Sequence, residues 1–304
     1  MFLTSERLPH VLSPECYWTE DHYQRELESL FAPAWHLVGT LDELDRPGNF
    51  ITCDLFGRQI QVRNFGGELV AVSNVCAHRH CLISSAARGQ SPRMTCQYHG
   101  WEYGVDGYTR RIPEANNFAP IDRDQIRLKV YRVACCGRLV FVCLMQDAPN
   151  LREFLGDLYD VCCERFGARW RNFLDWNPDY PVNWKIPVEN SLEAYHVPNI
   201  HARTFREDPG EERSQHLIDD LHTAFVTKLP FSPHSTLDRW FQRCETQVVG
   251  WLGGGATNQY EQHHVFPNLL FSFTDAVSLC HAVIPTGPTT SRGIVRQSGR
   301  VGGG

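Results

Sequence analysis

The sequence predicts an α+β fold, and three observations lead there. Segments rich in β-branched residues, punctuated by glycine, fill residues 35–144. Apolar residues recur near period 3.6 on either side, over 19–35 and 150–166. Two further β-rich runs, 265–273 and 278–285, follow a third helical stretch. At 304 residues the chain has room for two domains, or one large one, with a proper core.

In chain order, residues 19–35 read as an amphipathic helix, with Tyr23, Leu27, Leu30 and Phe31 on one face and Pro33 ending it. Strands follow at 36–39, 49–53, 59–63 and 68–72, with Gly57, Gly66 and Gly67 as turn points. Asp106-Gly107 separates Trp101-Glu102-Tyr103 from Tyr108-Thr109-Arg110, a hairpin signal. Runs at 128–133 and 138–143 close the set, and residues 150–166 predict one helix. Pro187 suits a first helical turn, so a helix is expected over 187–196, terminated by Pro198. Gly253-Gly254-Gly255 reads as a flexible loop, since no strand-to-helix context makes it a phosphate cradle.

Composition narrows the function classes. The chain is 42% hydrophobic and 21% charged, as in ordinary globular proteins. A net charge of −6 with no basic block argues against a nucleic-acid partner. The N-terminus lacks a signal peptide's apolar core and no run reaches membrane-spanning length, so a cytoplasmic location is expected, with no membrane partner. Such a location keeps thiols reduced, and most of the 12 cysteines read as small apolar core residues.

Chemistry concentrates in Cys76-Ala77-His78, a gap of 17 residues, then Cys96-Gln97-Tyr98-His99. Each half offers one thiolate and one imidazole at the tip of a short loop. Two such tips suit a two-iron, two-sulfide cluster, both thiolates on one iron and both imidazoles on the other. They equally suit a tetrahedral zinc site, so the ligand set alone leaves both open. Downstream, His196 and His201 are five apart across a helix-to-loop break, a spacing that lets two imidazoles converge on one metal. With one carboxylate they would form the facial triad of oxygen-activating iron(II) enzymes, which keeps coordination positions open.

Cys76-x-His78-Arg79, Cys96-x-x-His99-Gly100-Trp101-x-Tyr103 and the Asp106-Gly107 turn resemble the cluster domain of the Rieske-type non-haem iron oxygenases. The run from Asn183-Trp184-Lys185 through Glu189-Asn190, Glu193, Tyr195 and His196 to His201 is similar to that family's mononuclear iron motif. The resemblance extends over residues 30–285 and favours the cluster over zinc. It implies a Rieske antiparallel β domain at 35–148 and a helix-grip (START-like) catalytic domain with a curved antiparallel sheet at 149–304, to which the N-terminal segment 1–34 belongs. It also implies a [2Fe-2S] cluster on Cys76, His78, Cys96 and His99, and Fe(II) on His196 and His201. Glu193 is the implied bridge from a neighbouring subunit's His78 or His99 to His196 or His201 of its own chain. Glutamate there, where aspartate is commoner, resembles the branch acting on quaternary ammonium compounds.

The implied function is a terminal oxygenase that hydroxylates or oxidatively demethylates a small aromatic or quaternary ammonium substrate, as in aromatic hydrocarbon catabolism. NAD(P)H acts indirectly, through a separate reductase with or without a ferredoxin, and bridging between subunits implies a homotrimer. An electron-transfer or regulatory protein with an incomplete iron site is the alternative.

Three departures from the pattern stand out. His80 replaces the small residue usual in the first loop. Cys81 matches a cysteine that, in the respiratory Rieske carriers, pairs with one two residues after the second cluster thiol; here that position is Tyr98, so Cys81 is expected as a free thiol. The family's third iron ligand is a downstream aspartate, yet no acidic residue follows Asp275, which itself reads as a turn aspartate. A C-terminally truncated chain is the expectation.

Overall fold

The computed structural model describes residues 12–118, 120–122, 125–193, 196–200, 214–219, 221–228, 240, 247, 250 and 259–301. The fold is α+β, as the pattern predicts, in two compact units. One is Leu27–Tyr159; the other joins the chain up to Glu26 with Asp160 onward. Sequence boundaries at 34/35 and 148/149 therefore shift outward. Residues 27–34 and 149–159 go with the β unit because their contacts lie there: His36 Nε2 bonds Phe31 O at 2.7 Å, Trp35 Nε1 donates to Pro149 O at 2.9 Å, and Tyr159 Oη to Cys135 O at 3.4 Å.

The predicted 19–35 helix is α1 (Glu20–Glu26) followed by a wider turn over Leu27–Phe31. In the β unit the strands are β1 (Trp35–Thr40), β2 (Asn49–Leu55), β3 (Arg58–Phe65), β4 (Glu68–Ser73), β5 (Arg88–Gln90), β6 (Met94–Thr95), β7 (Glu102–Tyr103), β8 (Thr109–Arg111), β9 (Val130–Cys136) and β10 (Leu139–Cys143). Among the described residues they form an antiparallel sheet ordered β1-β10-β9-β4-β3-β2-β5 and a small sheet β6-β7-β8. β1 and β10 are buried along their whole length, which accounts for the unbroken apolar run of β10. A cluster of Val70, Val72, Ile83, Met94, Trp101, Tyr103 and Leu128 packs around Cys76 and Cys96.

The helix expected over 150–166 is two, α2 (Leu151–Leu155) and α3 (Leu158–Arg165). Asn150 and Glu153 form a capping box at the start of α2, and Gly156 breaks the run with φ +55°, a backbone state glycine adopts without Cβ strain.

In the second unit the strands are β11 (Trp170–Trp176), β12 (Asp179–Tyr180), β13 (Ser214–Ile218), β14 (His222–Lys228), β15 (Gln259–Val265), β16 (Leu269–Phe273), β17 (Val277–Gly287) and β18 (Thr290–Arg300). Their antiparallel order is β11-β18-β17-β16-β15-β14-β13, with β12 beside β18. The run expected as one strand at 265–273 is a hairpin, because Pro267-Asn268 turns the chain and the buried Asn268 amide bonds Val283 O at 2.8 Å. β18 had no sequence signal; it forms because its backbone fills the gap between β17 and β11. Phe166 packs on Phe271 and Phe273, ring centroids 6.2 Å away in both cases.

α4 (Lys185–Ser191) and α5 (Val197–Ile200) replace the single helix expected over 187–196. Ser191 Oγ donates back to Pro187 O at 2.8 Å and Leu192 N reaches only Glu189 O, which tightens and ends the helix. Glu193 and His196 thus sit in the connection between helices rather than on one helical face.

Candidate functional site: a cysteine–histidine cluster pocket and a histidine–glutamate pair

Two loops of matching construction build the first site. In each, the leading cysteine's N–H bonds the carbonyl five residues on (Cys76 to Cys81, Cys96 to Trp101, both 2.8 Å), and its own carbonyl accepts the N–H four residues on (His80 and Gly100, both 3.0 Å). Asn74 staples the first loop at its base: its Nδ2 donates to Ser84 O at 2.8 Å while its Oδ1 accepts from Ser84 N at 3.1 Å. Gln97 ties the loops together, its N donating to Ile83 O at 3.1 Å and its Nε2 to Leu82 O at 3.2 Å.

Burial divides the ligands. Cys76 and Cys96 are 1% and 2% exposed, whereas His78 is half-buried and His99 exposed. The imidazoles stand at the rim with ring centroids 4.8 Å apart. Trp101 stacks on His78 at 4.6 Å and 4°, and Phe118 meets both rings edge-on at 5.6 Å. Nδ1 of His78 is buried without a hydrogen-bond partner. An orphaned buried nitrogen, in the same loop as the buried Cys76, is what a metal-ligating imidazole presents, so these residues fit a [2Fe-2S] cluster.

Electrostatics divide the two thiols. Desolvation pushes the Cys96 thiol up, but the N–H groups of Tyr98 and His99 directed at its sulfur, with the Cys76 and Cys81 thiols beside it, together lower it overall. Burial raises Cys76, although Tyr103 and the His78 N–H oppose the rise. Burial, then the His99 and Arg79 charges, lowers His78 and keeps its ring neutral. Tyr103 Oη lies 3.0 Å from Cys76 Sγ and accepts from Ala77 N at 3.1 Å, which leaves its proton for the sulfur. The motif contains Tyr103, but nothing in its spacing showed this role.

Cys81 forms no disulfide, as expected, yet it is no bystander. Its Sγ is 3.5 Å from Cys96 Sγ, and the sulfurs of Cys76, Cys81 and Cys96 lie within 4.8 Å of one another.

The second site is partly described. Glu193 Oε1 contacts His196 Nδ1 and its Oε2 accepts from His196 N at 3.1 Å. A carboxylate on Nδ1 fixes the proton there and directs Nε2 toward a metal. His201, Tyr195 and Gly253-Gly254-Gly255 lie outside the described residues. Behind α4, Glu26 accepts from Lys185 Nζ at 2.6 Å and Trp184 Nε1 at 2.8 Å, and Tyr17 Oη donates to Glu189 Oε1 at 2.5 Å. These contacts anchor the helix that leads into Glu193. Asp275 lies in the turn between β16 and β17, as a turn aspartate should. His263 and His264 follow one another along β15, the first against Glu261 Oε2 (3.3 Å), the second against Pro267 O (3.1 Å).

Comparison with known proteins matches both domains to families. The Rieske [2Fe-2S] domain family matches residues 34–132, and the ring hydroxylating alpha subunit catalytic domain family matches residues 167–297. Chlorobenzene dioxygenase subunit alpha of Cupriavidus sp. (strain PS12) is 32% identical over 194 residues, 60% of this chain and 42% of that one. Choline monooxygenase, chloroplastic, of Spinacia oleracea is 30% identical over 198 residues, 62% of this chain and 44% of that one. The matched stretch is less than half the length of either relative. In fold, the chain superposes on the quaternary ammonium Rieske monooxygenase CntA in complex with an inhibitor at a TM-score of 0.78 and 18% identity, covering 94% of this chain and 74% of that one. Naphthalene 1,2-dioxygenase from Rhodococcus sp. bound to indole gives 0.75 and 20%, covering 93% and 72%.

Proposed function

The chain belongs to the Rieske non-haem iron oxygenase alpha-subunit family, and from that membership we propose that it is the terminal oxygenase of a multicomponent system. Its substrate class is a small organic molecule, aromatic or quaternary ammonium, to be hydroxylated or oxidatively demethylated. Relatives of both kinds support that breadth, one acting as a chlorobenzene dioxygenase and one as a choline monooxygenase. A separate reductase, with or without a ferredoxin, and assembly as a homotrimer complete the proposal.

When bound, the cluster on Cys76, His78, Cys96 and His99 supplies one-electron transfer, and an iron on His196 and His201 supplies dioxygen activation. The chain's own residues prepare both. Tyr103 and the loop N–H groups hold negative charge on the sulfurs, while Trp101 and Phe118 fix the His78 ring. Glu193 orients His196 and holds the proton on its Nδ1.

The observation that carries the reading is the Glu193–His196 contact, since a carboxylate-backed histidine in the same chain as a Rieske-type domain has no use in a simple electron carrier. The test measures iron, acid-labile sulfide and substrate-dependent O₂ uptake in the purified protein. Iron beyond that of the cluster, with uptake that depends on an aromatic or quaternary ammonium compound, supports the oxygenase. Cluster iron alone, with no uptake, supports an electron-transfer or regulatory protein.

A further inference from the structure

We propose that Cys81 is a tuning residue of the cluster, its S–H donated to Cys96 Sγ so that the reduction potential rises. The inference rests on the cluster assignment above and deepens it. Cys81 and Cys96 stand 3.5 Å apart, sulfur to sulfur, at a sequence separation of 15. That is hydrogen-bond range for sulfur and far from the ~2.05 Å of a disulfide. Two thiolates and two imidazoles already complete the ligand set of a Rieske cluster, so a third sulfur is not needed on iron. It sits beside the cluster as a neutral donor.

The fold holds Cys81 there from three sides. Its carbonyl accepts from Cys76 N at 2.8 Å. The next residue, Leu82, bridges to Val75, and its carbonyl accepts from Gln97 Nε2 at 3.2 Å. Ile83 O accepts from Gln97 N at 3.1 Å, clamping this segment against the chain just after Cys96. The position of the thiol is therefore set by the same bonds that join the two loops.

With Tyr103 Oη 3.0 Å from Cys76 Sγ, each ligating cysteine sulfur receives one side-chain donor. Reduction adds one negative charge, and a donor to a ligating sulfur stabilises the reduced form more than the oxidised one. Removing the donor shifts the equilibrium toward the oxidised cluster.

The test uses the full chain with its cluster, in wild-type, Cys81→Ala and Cys81→Ser forms, titrated electrochemically and followed by electron paramagnetic resonance. Cys81→Ala should lower the ratio of reduced to oxidised cluster at a fixed potential about three- to fivefold, or ~30–40 mV at 59 mV per decade. Iron and sulfide contents should stay unchanged. Cys81→Ser, which keeps a donor, should restore most of the shift. In the wild type, one solvent-exchangeable proton coupling to the reduced cluster, additional to those of the Tyr103 hydroxyl and the loop N–H groups, should be present and should be the one lost in Cys81→Ala. A loaded Cys81→Ala cluster with an unmoved potential would overturn the inference, as would Cys81→Ser moving as far as alanine. Absence of that additional exchangeable coupling in the wild type would do the same, even if neither variant loads. A wild-type preparation without sulfide would instead sink the cluster assignment itself.

Discussion

His80 and Gly100 occupy equivalent points of the two cluster loops. Each donates its N–H to the cysteine carbonyl four residues earlier at 3.0 Å, and each has a left-handed backbone, φ +54° and +71°. Glycine bears that conformation freely; histidine does so only under Cβ strain. The side chain of His80 is exposed, so nothing in its packing offsets the strain.

His80→Gly should therefore stabilise the cluster unit, by about 0.5–1 kcal/mol once the extra freedom of the unfolded glycine is subtracted. Thermal unfolding would show a rise of about 2 °C. A fall in the midpoint would mean that the ring makes a contact worth more than the strain.

Tyr103→Phe removes the phenol proton from Cys76 Sγ while keeping the ring in its core. The phenol stabilises the reduced cluster more than the oxidised one, and losing a tenfold preference of this kind (~1.4 kcal/mol) lowers the cluster potential by about 60 mV. Spectroelectrochemistry reads this directly, with metal content as the control.

Glu193→Ala leaves His196 without its carboxylate partner. Both metal centres should still load, whereas turnover should fall ~10- to 100-fold or stop. Metal analysis alongside single-turnover kinetics separates the two effects; normal turnover would remove Glu193 from its assigned role.

Glu26 holds the buried Lys185 ammonium and the Trp184 indole N–H together, with Lys185 only 6% exposed. Glu26→Ala removes the carboxylate that both donors share and should cost about 3–5 kcal/mol, seen in urea unfolding. Lys185→Met removes the charge that needs a partner and should cost clearly less.

Burial pulls His36 and His281 down to about 4, so both are neutral in the fold. Above pH ~6.5 the unfolded chain is neutral at these positions too, and they contribute no pH dependence. As pH falls from 6.5 toward 4, the unfolded state binds protons that the folded state refuses, and stability drops. For the fully buried His36 the slope approaches ~1.4 kcal/mol per pH unit. Urea midpoints at pH 7, 6 and 5 should decline in that order, and His36→Gln should flatten the decline.

What was legible in the sequence was local. Cys76 with His78, and Cys96 with His99, lie within loops of a few residues, so spacing alone specifies which atoms can reach one cluster. Strands with strong β-branched runs were equally plain, because their periodicity does not depend on neighbours. β18 was not: it is polar and glycine-containing, and its place comes from pairing with β17 and β11. The helix after Lys185 was overextended because good helix formers continue past Ser191, where a back-bonded hydroxyl ends it.

By itself, then, the sequence determined the ligand types, the order of the two units and the reaction class they resemble. Only the tertiary structure decided which groups surround the ligands. Tyr103 reaches Cys76 across 27 residues and Cys81 reaches Cys96 across 15, through hairpins stacked by long-range hydrogen bonds. Such contacts follow from how two loops pack against each other, a property that no single stretch of chain carries.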